Sequence, residues 1–247
     1  MDERLGPVPV VLDLANGLAQ EVAGLYVGGS VASGDYRPGI SDIDAVALVD
    51  RVLGPAQRRT ITALHHRLDA SALHCVYVGR PVAEDPAAKH WTWAFEELFR
   101  RPLSGIARAE LLADPVVVHG PAPATWLPPM SSDAIRAAAV ADLTGYWRTA
   151  VRKRRIWQED VYVDQAVTGV ARADLTVTNG RLVTKSEAIA HLPGLGLRED
   201  IVDGVVRRRA GDDTSLTPEQ RSERAVTVRT FVAHHLDRLD ALVRDCA

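Results

Sequence analysis

Cysteines and long apolar runs are scarce in this sequence. The chain of 247 residues includes two cysteines, Cys75 and Cys246, whose wide separation argues against a disulfide framework and favours a reducing compartment. No apolar run approaches the roughly 18 residues of a membrane span. The first residues also lack the basic and then apolar order of a secretory signal. We therefore expect a cytoplasmic protein with no membrane partner.

An excess of charge of one sign is missing as well. The chain has 29 Lys and Arg against 32 Asp and Glu, which leaves a formal net charge of −3. This balance provides no electrostatic footprint for broad nucleic-acid binding, so no nucleic-acid partner is expected. Apolar residues make up 47% of the chain, enough to bury a substantial core in one large domain or two modest ones.

Prolines in the middle of the chain indicate a linker. The stretch 120–132, GPAPATWLPPMSS, contains four prolines, which do not fit a helix interior or a central strand. Ser131-Ser132-Asp133 at its end are residues that commonly cap helix N-termini. We predict an N-terminal domain over 1–125 and a C-terminal domain over 126–247.

The two predicted domains differ in hydrophobic periodicity. The first alternates helical and strand patterns, which predicts an α/β domain with helices packed on a small mixed sheet. Its predicted helices cover 8–23, 57–68 and about 93–112, and its predicted strands cover 24–27, 42–49, 73–78 and 116–118. The second domain has helical periodicity over 131–157, 161–177, 184–192, 197–209 and 217–244. It is predicted to be an all-α helical bundle.

The segment that links the first two predicted strands, YVGGSVASGDYRPGISDIDAVALVD, carries the strongest chemical signal. Gly28-Gly29 ends the first strand where the backbone can approach a ligand closely. Ser30 then opens a short helical turn whose free N–H groups suit a phosphate. Because side chains alternate along a strand, Asp42 and Asp44 project from one face of the second strand. Two carboxylates so placed beside a phosphate-binding turn suit Mg²⁺ on a nucleoside triphosphate.

The combination of a strand, Gly-Gly-Ser, a spacer of eleven residues and Asp-Ile-Asp resembles the nucleotidyltransferase signature of the DNA polymerase β superfamily. That resemblance implies that the N-terminal domain is a nucleotidyltransferase domain. It also implies that Gly29, Ser30 and Ser41 contact the phosphates of ATP, the co-substrate. Asp42 and Asp44 would bind Mg²⁺ and take part in catalysis.

The C-terminal half carries a second resemblance. Arg172 precedes a helical run, the turn Thr178-Asn179-Gly180 and then Lys185. This pattern resembles the C-terminal domain of bacterial aminoglycoside adenylyltransferases of the streptomycin/spectinomycin type. The resemblance implies that Arg172 and Lys185 neutralise the triphosphate from across a cleft between the domains. Such cations would supplement Mg²⁺, which covers part of the phosphate charge.

One position departs from the family pattern. Family members carry a third carboxylate on the next strand, and the matching position in Leu73–Val78 is His74. Imidazole can accept a proton near neutral pH but is a poor Mg²⁺ ligand. Four interpretations stay open: His74 is the general base, a nearby acid such as Glu84 or Asp85 replaces it, the catalytic step is weakened, or His74 is a polar residue at a strand end.

The sequence indicates the identity of the acceptor less clearly than it indicates the nucleotide. Aminoglycosides are polycations, so carboxylates and aromatic faces are expected around their binding site. The candidates are Glu96, Glu97, Asp142, Asp160, Asp164, Trp91, Trp93, Trp147 and Trp157, each of which is also consistent with an ordinary structural role. The basic run Arg152–Arg155 opposes a polycation pocket and fits a solvated helix end or an anionic acceptor.

Three functions remain compatible with these patterns. The first is Mg²⁺-dependent adenylyl transfer from ATP to a hydroxyl of a small molecule, such as an aminoglycoside antibiotic, by a monomer that confers antibiotic resistance. The second is adenylylation of a partner protein, which the long helical domain disfavours. The third is an ATP-binding sensor with weakened catalysis, which the histidine at position 74 favours.

Overall fold

The computed structural model describes residues 2–212 and 214–245, with side chains described as far as residue 242. It divides into two compact units, with the boundary between Met130 and Ser131. Cys246, one of the two cysteines used above to infer a reducing compartment, lies outside the described residues. None of the helices in the described residues is both long and apolar enough to cross a membrane.

A six-stranded mixed sheet organises the first unit. Its strands are β1 (Gly24–Val27), β2 (Ile43–Val49), β3 (Leu73–Gly79), β4 (Lys89–Ala94), β5 (Glu97–Pro102) and β6 (Val116–His119). They lie in the order β5-β4-β3-β2-β1-β6. β2 and β3 run parallel, whereas the other neighbouring strands pair antiparallel. The predicted small mixed sheet is thereby confirmed.

Both faces of the sheet are buried, and strand alternation decides which residue faces which core. Leu25 and Val27 of β1 join one apolar cluster, whereas Tyr26 between them joins the other. The first cluster includes side chains of α1 (Val10–Leu18) and α3 (Pro55–Leu68), and the second includes side chains of α4 (Gly105–Ala113). A short helix, α2 (Gly29–Ala32), follows β1 directly.

The helix predicted over 93–112 is wrong for its first half. Residues 89–102 form the antiparallel hairpin of β4 and β5, and a helix begins at Gly105, after the N-cap Ser104. Trp91, Trp93 and Phe99 fit the pleated surface of a sheet, where aromatic side chains are enriched. The run WTWAFEELF thus forms two paired strands, although the spacing of its apolar residues also fits one face of a helix.

The second unit is helical throughout its described residues. Its helices are α5 (Ser132–Ala150), α6 (Asp160–Asn179), α7 (Lys185–His191), α8 (Glu199–Arg209) and α9 (Pro218–Asp245). This arrangement confirms the predicted all-α region. Ser131 caps α5 by accepting a hydrogen bond from the Ala134 amide at 3.1 Å. α5 ends at Ala150 instead of continuing to Trp157, which lies in a separate 3-10 turn.

The proline-rich segment before the unit boundary belongs partly to the first core. Trp126 and Leu127 are buried in the same apolar cluster as Tyr26. The rings of Tyr26 and Trp126 lie 5.5 Å apart, and the Tyr26 hydroxyl donates to the Pro121 carbonyl at 2.7 Å. These contacts place residues up to Met130 with the first unit, five residues beyond the predicted domain end at 125.

Candidate active site

Three strands of the first unit bring the predicted motifs to one end of the sheet. β1 ends at Val27, β2 begins at Ile43 and β3 begins at Leu73. Because β1 runs antiparallel to β2 and β3 runs parallel to it, the end of β1 and the beginnings of β2 and β3 lie at the same end of the sheet. The Gly28 amide donates to the Asp44 carbonyl at 2.9 Å, which fastens the glycine turn to the strand of the aspartates.

Gly29 lies directly against the side chain of Asp44. Its φ of +59° is a left-handed conformation that a residue with a β-carbon adopts at a cost. A β-carbon at this position would also lie 2.5 Å from Oδ2 of Asp44. Glycine is therefore required here for two independent reasons, and its backbone is held within reach of whatever Asp44 binds.

The two serines of the motif have different surroundings. Ser30 Oγ lies 3.5 Å from the Asp42 carbonyl oxygen, a long contact that joins the start of α2 to the second motif. Ser41 is buried, and its hydroxyl oxygen accepts a hydrogen bond from the Arg37 amide at 3.1 Å. Ser30 is therefore accessible beside the turn, whereas the Ser41 hydroxyl is engaged within the loop that leads to Asp42.

Asp42 and Asp44 are both exposed, and Ile43 between them is buried. The alternation predicted from the sequence is thus present at the start of β2. Across the described residues, no set of three or more Asp, Glu, His or Cys side chains is arranged to hold a metal by itself. Two carboxylates nevertheless fit Mg²⁺, which commonly takes one or two protein carboxylates and completes its shell with phosphate and water oxygens.

His74 is the direct neighbour of Asp44 across the parallel strands, because the two residues are register partners. Both share the face of the sheet on which Val46 and Val76 are buried. The strand that follows His74 carries Cys75 on the opposite face, where burial raises the pKa of its thiol to about 12. Cys75 is consequently an inert core residue, and His74 is the titratable side chain that β3 presents beside Asp44.

The alternative acids Glu84 and Asp85 follow the other end of β3. They come after Gly79, whereas His74 stands near the beginning of the strand. The Asp85 carboxylate accepts a hydrogen bond from the Ala87 amide at 2.8 Å, and Arg108 donates to the Asp85 carbonyl at 2.9 Å. Both acids therefore belong to the loop between β3 and β4, remote from the aspartates of β2.

Two residues at this edge were not recognised from the sequence. Glu110 of α4 accepts a hydrogen bond from the Gly29 amide through Oε2 at 3.2 Å. Phe95, at the turn between β4 and β5, places its ring centroid 5.1 Å from that of His74. Neither belongs to a sequence motif, and the prediction of a helix in place of the hairpin hid the turn at Phe95. A two-strand reading of 89–102 would have pointed to the turn at Phe95.

The second unit brings Arg172 and the segment of Lys185 together. Arg172 lies on α6 and donates through Nε to the Val183 carbonyl at 3.2 Å. Lys185 is the first residue of α7, after the N-cap Thr184. Thr184 and Glu187 form a capping box in which each side chain accepts from the other residue's amide. The turn between α6 and α7 thus has a defined shape, and Arg172 contacts it two residues before Lys185.

Most of the residues predicted to bind the acceptor are buried, paired with an arginine or stacked against one. Trp93, Trp147 and Trp157 are buried, and Trp93 stacks on His65 with ring centroids 4.7 Å apart. In the second unit, Asp160 pairs with Arg224, and Asp164 pairs with Arg208. Arg58 lies 4.5 Å over the Trp91 ring. The candidates that remain exposed are Glu96, Glu97 and Asp142, and the basic residues Arg152–Arg155 are exposed as well.

Residues 13–73 match the model of the nucleotidyltransferase domain family. The matched segment contains the glycine turn, Asp42 and Asp44, and it ends one residue before His74. The first unit therefore contains a segment of the nucleotidyltransferase domain family, and the fold of the chain resembles that of a spectinomycin adenyltransferase.

Among solved structures, the chain is similar to the spectinomycin adenyltransferase AAD(9) from Enterococcus faecialis, crystallised with ATP and spectinomycin. The two share 13% sequence identity, the TM-score is 0.69, and the match covers 94% of this chain and 98% of the other. At this identity the likeness establishes the fold. A search of curated proteins finds no significant match in sequence.

Proposed function

We propose that this protein transfers an adenylyl group from ATP to a hydroxyl of a small molecule, and that Mg²⁺ is required. The observation that carries the proposal is the packing of Gly29 against Asp44, with Asp42 on the same face of the strand. A phosphate-binding turn fastened to two exposed carboxylates suits a metal-bound triphosphate better than either feature alone.

Asp42 and Asp44 would hold the metal ion. When bound, Mg²⁺ would polarise the phosphate and neutralise part of the charge that develops in the transition state. Ser30 would bind the terminal phosphates together with the Gly29 amide, which would exchange its hydrogen bond to Glu110 for one to phosphate. Ser41 would act indirectly, because its hydroxyl holds the loop that precedes Asp42.

His74 would serve as the general base. The acceptor oxygen forms a bond to the α-phosphorus, its proton passes to the imidazole, and the bond from the α-phosphorus to the bridging oxygen breaks. The electron pair of that bond leaves with pyrophosphate. Arg172 and Lys185 of the second unit would stabilise its charge.

The acceptor class that we propose is the one bound by the similar protein of known structure. AAD(9) was crystallised with ATP and spectinomycin, so a spectinomycin-like or streptomycin-like antibiotic is the first acceptor to test. Transfer to such a compound would make the protein a determinant of antibiotic resistance. The exposed carboxylates of Glu96, Glu97 and Asp142 would suit a cationic acceptor.

One observation favours a second function, an ATP-binding sensor without transfer. The resemblance would place the third carboxylate of the family at position 74, and His74, the register partner of Asp44, would leave one fewer oxygen ligand for Mg²⁺. Adenylylation of a protein is a third candidate, and an adenylylated polypeptide in place of a small-molecule product would identify it.

Calorimetry with ATP and Mg²⁺, followed by pyrophosphate release in the presence of spectinomycin or streptomycin, separates these functions. Wild type should bind ATP and release pyrophosphate only with an acceptor, and Asp42→Asn should abolish release. Asp50→Asn is the matched control, because Asp50 is an exposed aspartate at the other end of the same strand. Binding without release on any acceptor would favour the sensor, and full activity of Asp42→Asn would refute the metal-site assignment.

A further inference from the structure

The turn between β4 and β5 has an unusual composition for its conformation. Ala94 and Glu97 are register partners, so Phe95 and Glu96 are the two residues of a tight hairpin loop. Their φ values are +54° and +61°, and both therefore lie in the left-handed region. Two-residue loops of this kind strongly prefer Asn-Gly, because most other residues are strained there. A phenylalanine and a glutamate occupy the loop instead.

Burial of the Phe95 ring offsets little of this backbone strain. The residue is 74% exposed, the largest exposure among the big apolar residues of the described chain. An exposed aromatic ring on a strained backbone contributes little to the apolar core. Its ring contacts that of His74, whose centroid is 5.1 Å away with the ring planes inclined by 59°.

The order of the strands places the Phe95 ring on the side of Asp44 that faces away from the glycine turn. Along the sheet edge, the glycine turn follows β1, Asp44 lies on β2, His74 on β3, and Phe95 follows β4. Phosphates bound at the turn would therefore lie on the β1 side of Asp44. A hydroxyl that gives its proton to His74 would approach from the other side, where Phe95 stands.

We propose that Phe95 determines acceptor binding: its exposed ring packs against an apolar or ring face of the acceptor and positions the hydroxyl beside His74. This inference rests on the proposed transferase function and adds the side of the site on which the acceptor binds. Phe95 would contact the acceptor and not the nucleotide. Its substitution should therefore weaken acceptor binding without weakening ATP binding, unlike substitution of a motif residue.

The test uses Phe95→Asn in the full chain. Asparagine tolerates the left-handed conformation, so the variant should fold with an unchanged or higher melting temperature. With the antibiotic that gives the largest pyrophosphate release in wild type, the acceptor KM should rise about tenfold, the effect of losing one aromatic stacking contact. The Kd for ATP with Mg²⁺, measured by calorimetry, should stay within about twofold, since nucleotide contacts are retained.

Asp69→Gly is the matched control. Asp69 also has a positive φ, of 49°, and it is an exposed residue at the C-terminus of α3. This variant relieves the same kind of backbone strain and should leave the acceptor KM unchanged.

The outcomes are distinguishable. An active wild type with an unchanged acceptor KM in Phe95→Asn, or with ATP affinity weakened as much as acceptor binding, overturns the assignment of Phe95 alone. A wild type that transfers to no acceptor overturns both this assignment and the proposed function.

Discussion

Gly29 and Asp44 are packed so closely that one carbon atom more would bring them into collision. The β-carbon of an alanine at position 29 would lie 2.5 Å from Oδ2 of Asp44 and 3.3 Å from its Cγ. The turn proposed to bind phosphate and the carboxylate proposed to bind metal therefore form one unit. Disturbing either residue should displace the other.

Gly29→Ala should abolish transfer, because the new methyl group must push the Asp44 carboxylate from its position. Gly34→Ala is the control: Gly34 also has a positive φ, of +71°, but a β-carbon there meets no atom within 4 Å. Both variants should lose about 1–2 kcal/mol of unfolding free energy from the left-handed backbone. Chemical denaturation and pyrophosphate release measure the two effects. Equal activity of the two variants would contradict the role given to the Gly29–Asp44 contact.

Substitution of His74 should change kcat more than the Kd for ATP. His74→Gln removes the base and should lower kcat roughly 10²- to 10⁴-fold, the usual contribution of a general base. His74→Glu supplies a carboxylate that can also accept the proton and should be much more active than the glutamine variant. Steady-state kinetics and calorimetry provide the measurement. A glutamine variant with wild-type kcat would remove His74 from the mechanism.

Glu110→Gln should strengthen ATP binding. The Glu110 carboxylate accepts from the Gly29 amide at 3.2 Å, so its negative charge stands where a phosphate is proposed to bind. Glutamine keeps an oxygen acceptor for that amide and removes the charge. The Kd for ATP with Mg²⁺ should fall roughly three- to tenfold, and the gain should shrink at high salt. Weaker binding at low salt would mean that the charge of Glu110 supports the site.

Lys185→Ala should weaken ATP binding about tenfold or more, as expected for loss of one charge-assisted contact to phosphate. Arg181→Ala is a suitable control, because Arg181 is an exposed cation of the same turn that pairs with Glu187 at 2.8 Å. Arg172→Ala should act like Lys185→Ala, with an additional loss of stability from its bond to the Val183 carbonyl. If the lysine and control variants bind ATP equally well, the second unit does not neutralise the triphosphate as proposed.

A buried histidine of the first unit should make stability depend on pH. Burial lowers the pKa of His65 to about 4, with a smaller contribution from the neighbouring His66. The unfolded chain binds a proton near pH 6.5, whereas the folded chain keeps this imidazole neutral, so its contribution is complete above that pH. It is lost as the pH falls from about 6.5 to 4, by about 3 kcal/mol.

Urea unfolding of wild type and His65→Gln at several pH values checks this expectation. The variant lacks the titrating ring and should show a smaller loss of stability across that interval, even though it also loses the bond of 2.7 Å between His65 and Tyr77. His66→Gln, which changes an exposed neighbour, should keep most of the wild-type slope. Parallel slopes for wild type and His65→Gln would show that another group controls the pH dependence.

Local patterns predicted most of the helices and four strands of the sheet, β1, β2, β3 and β6. The periodicity of 8–23, 57–68 and the C-terminal segments depends on each helix burying one stripe, a property of neighbouring residues. The same reasoning failed over 93–102, because a short aromatic run fits a helix or a hairpin equally well until its partner strand is known. Pairing of β4 with β3 resolves that ambiguity in the folded chain.

The sequence by itself determined the chemistry of the central motif: a glycine turn, two aspartates on alternate positions and a histidine where an acid was expected. These features are local, since strand alternation and glycine conformation need no distant partner. Only the tertiary structure decided which residues lie next to this motif. The pairing of Asp44 with His74, the hydrogen bond of Glu110 to Gly29 and the ring of Phe95 beside His74 all depend on strand register and helix packing. Those contacts join residues far apart in the chain, and no local pattern records them.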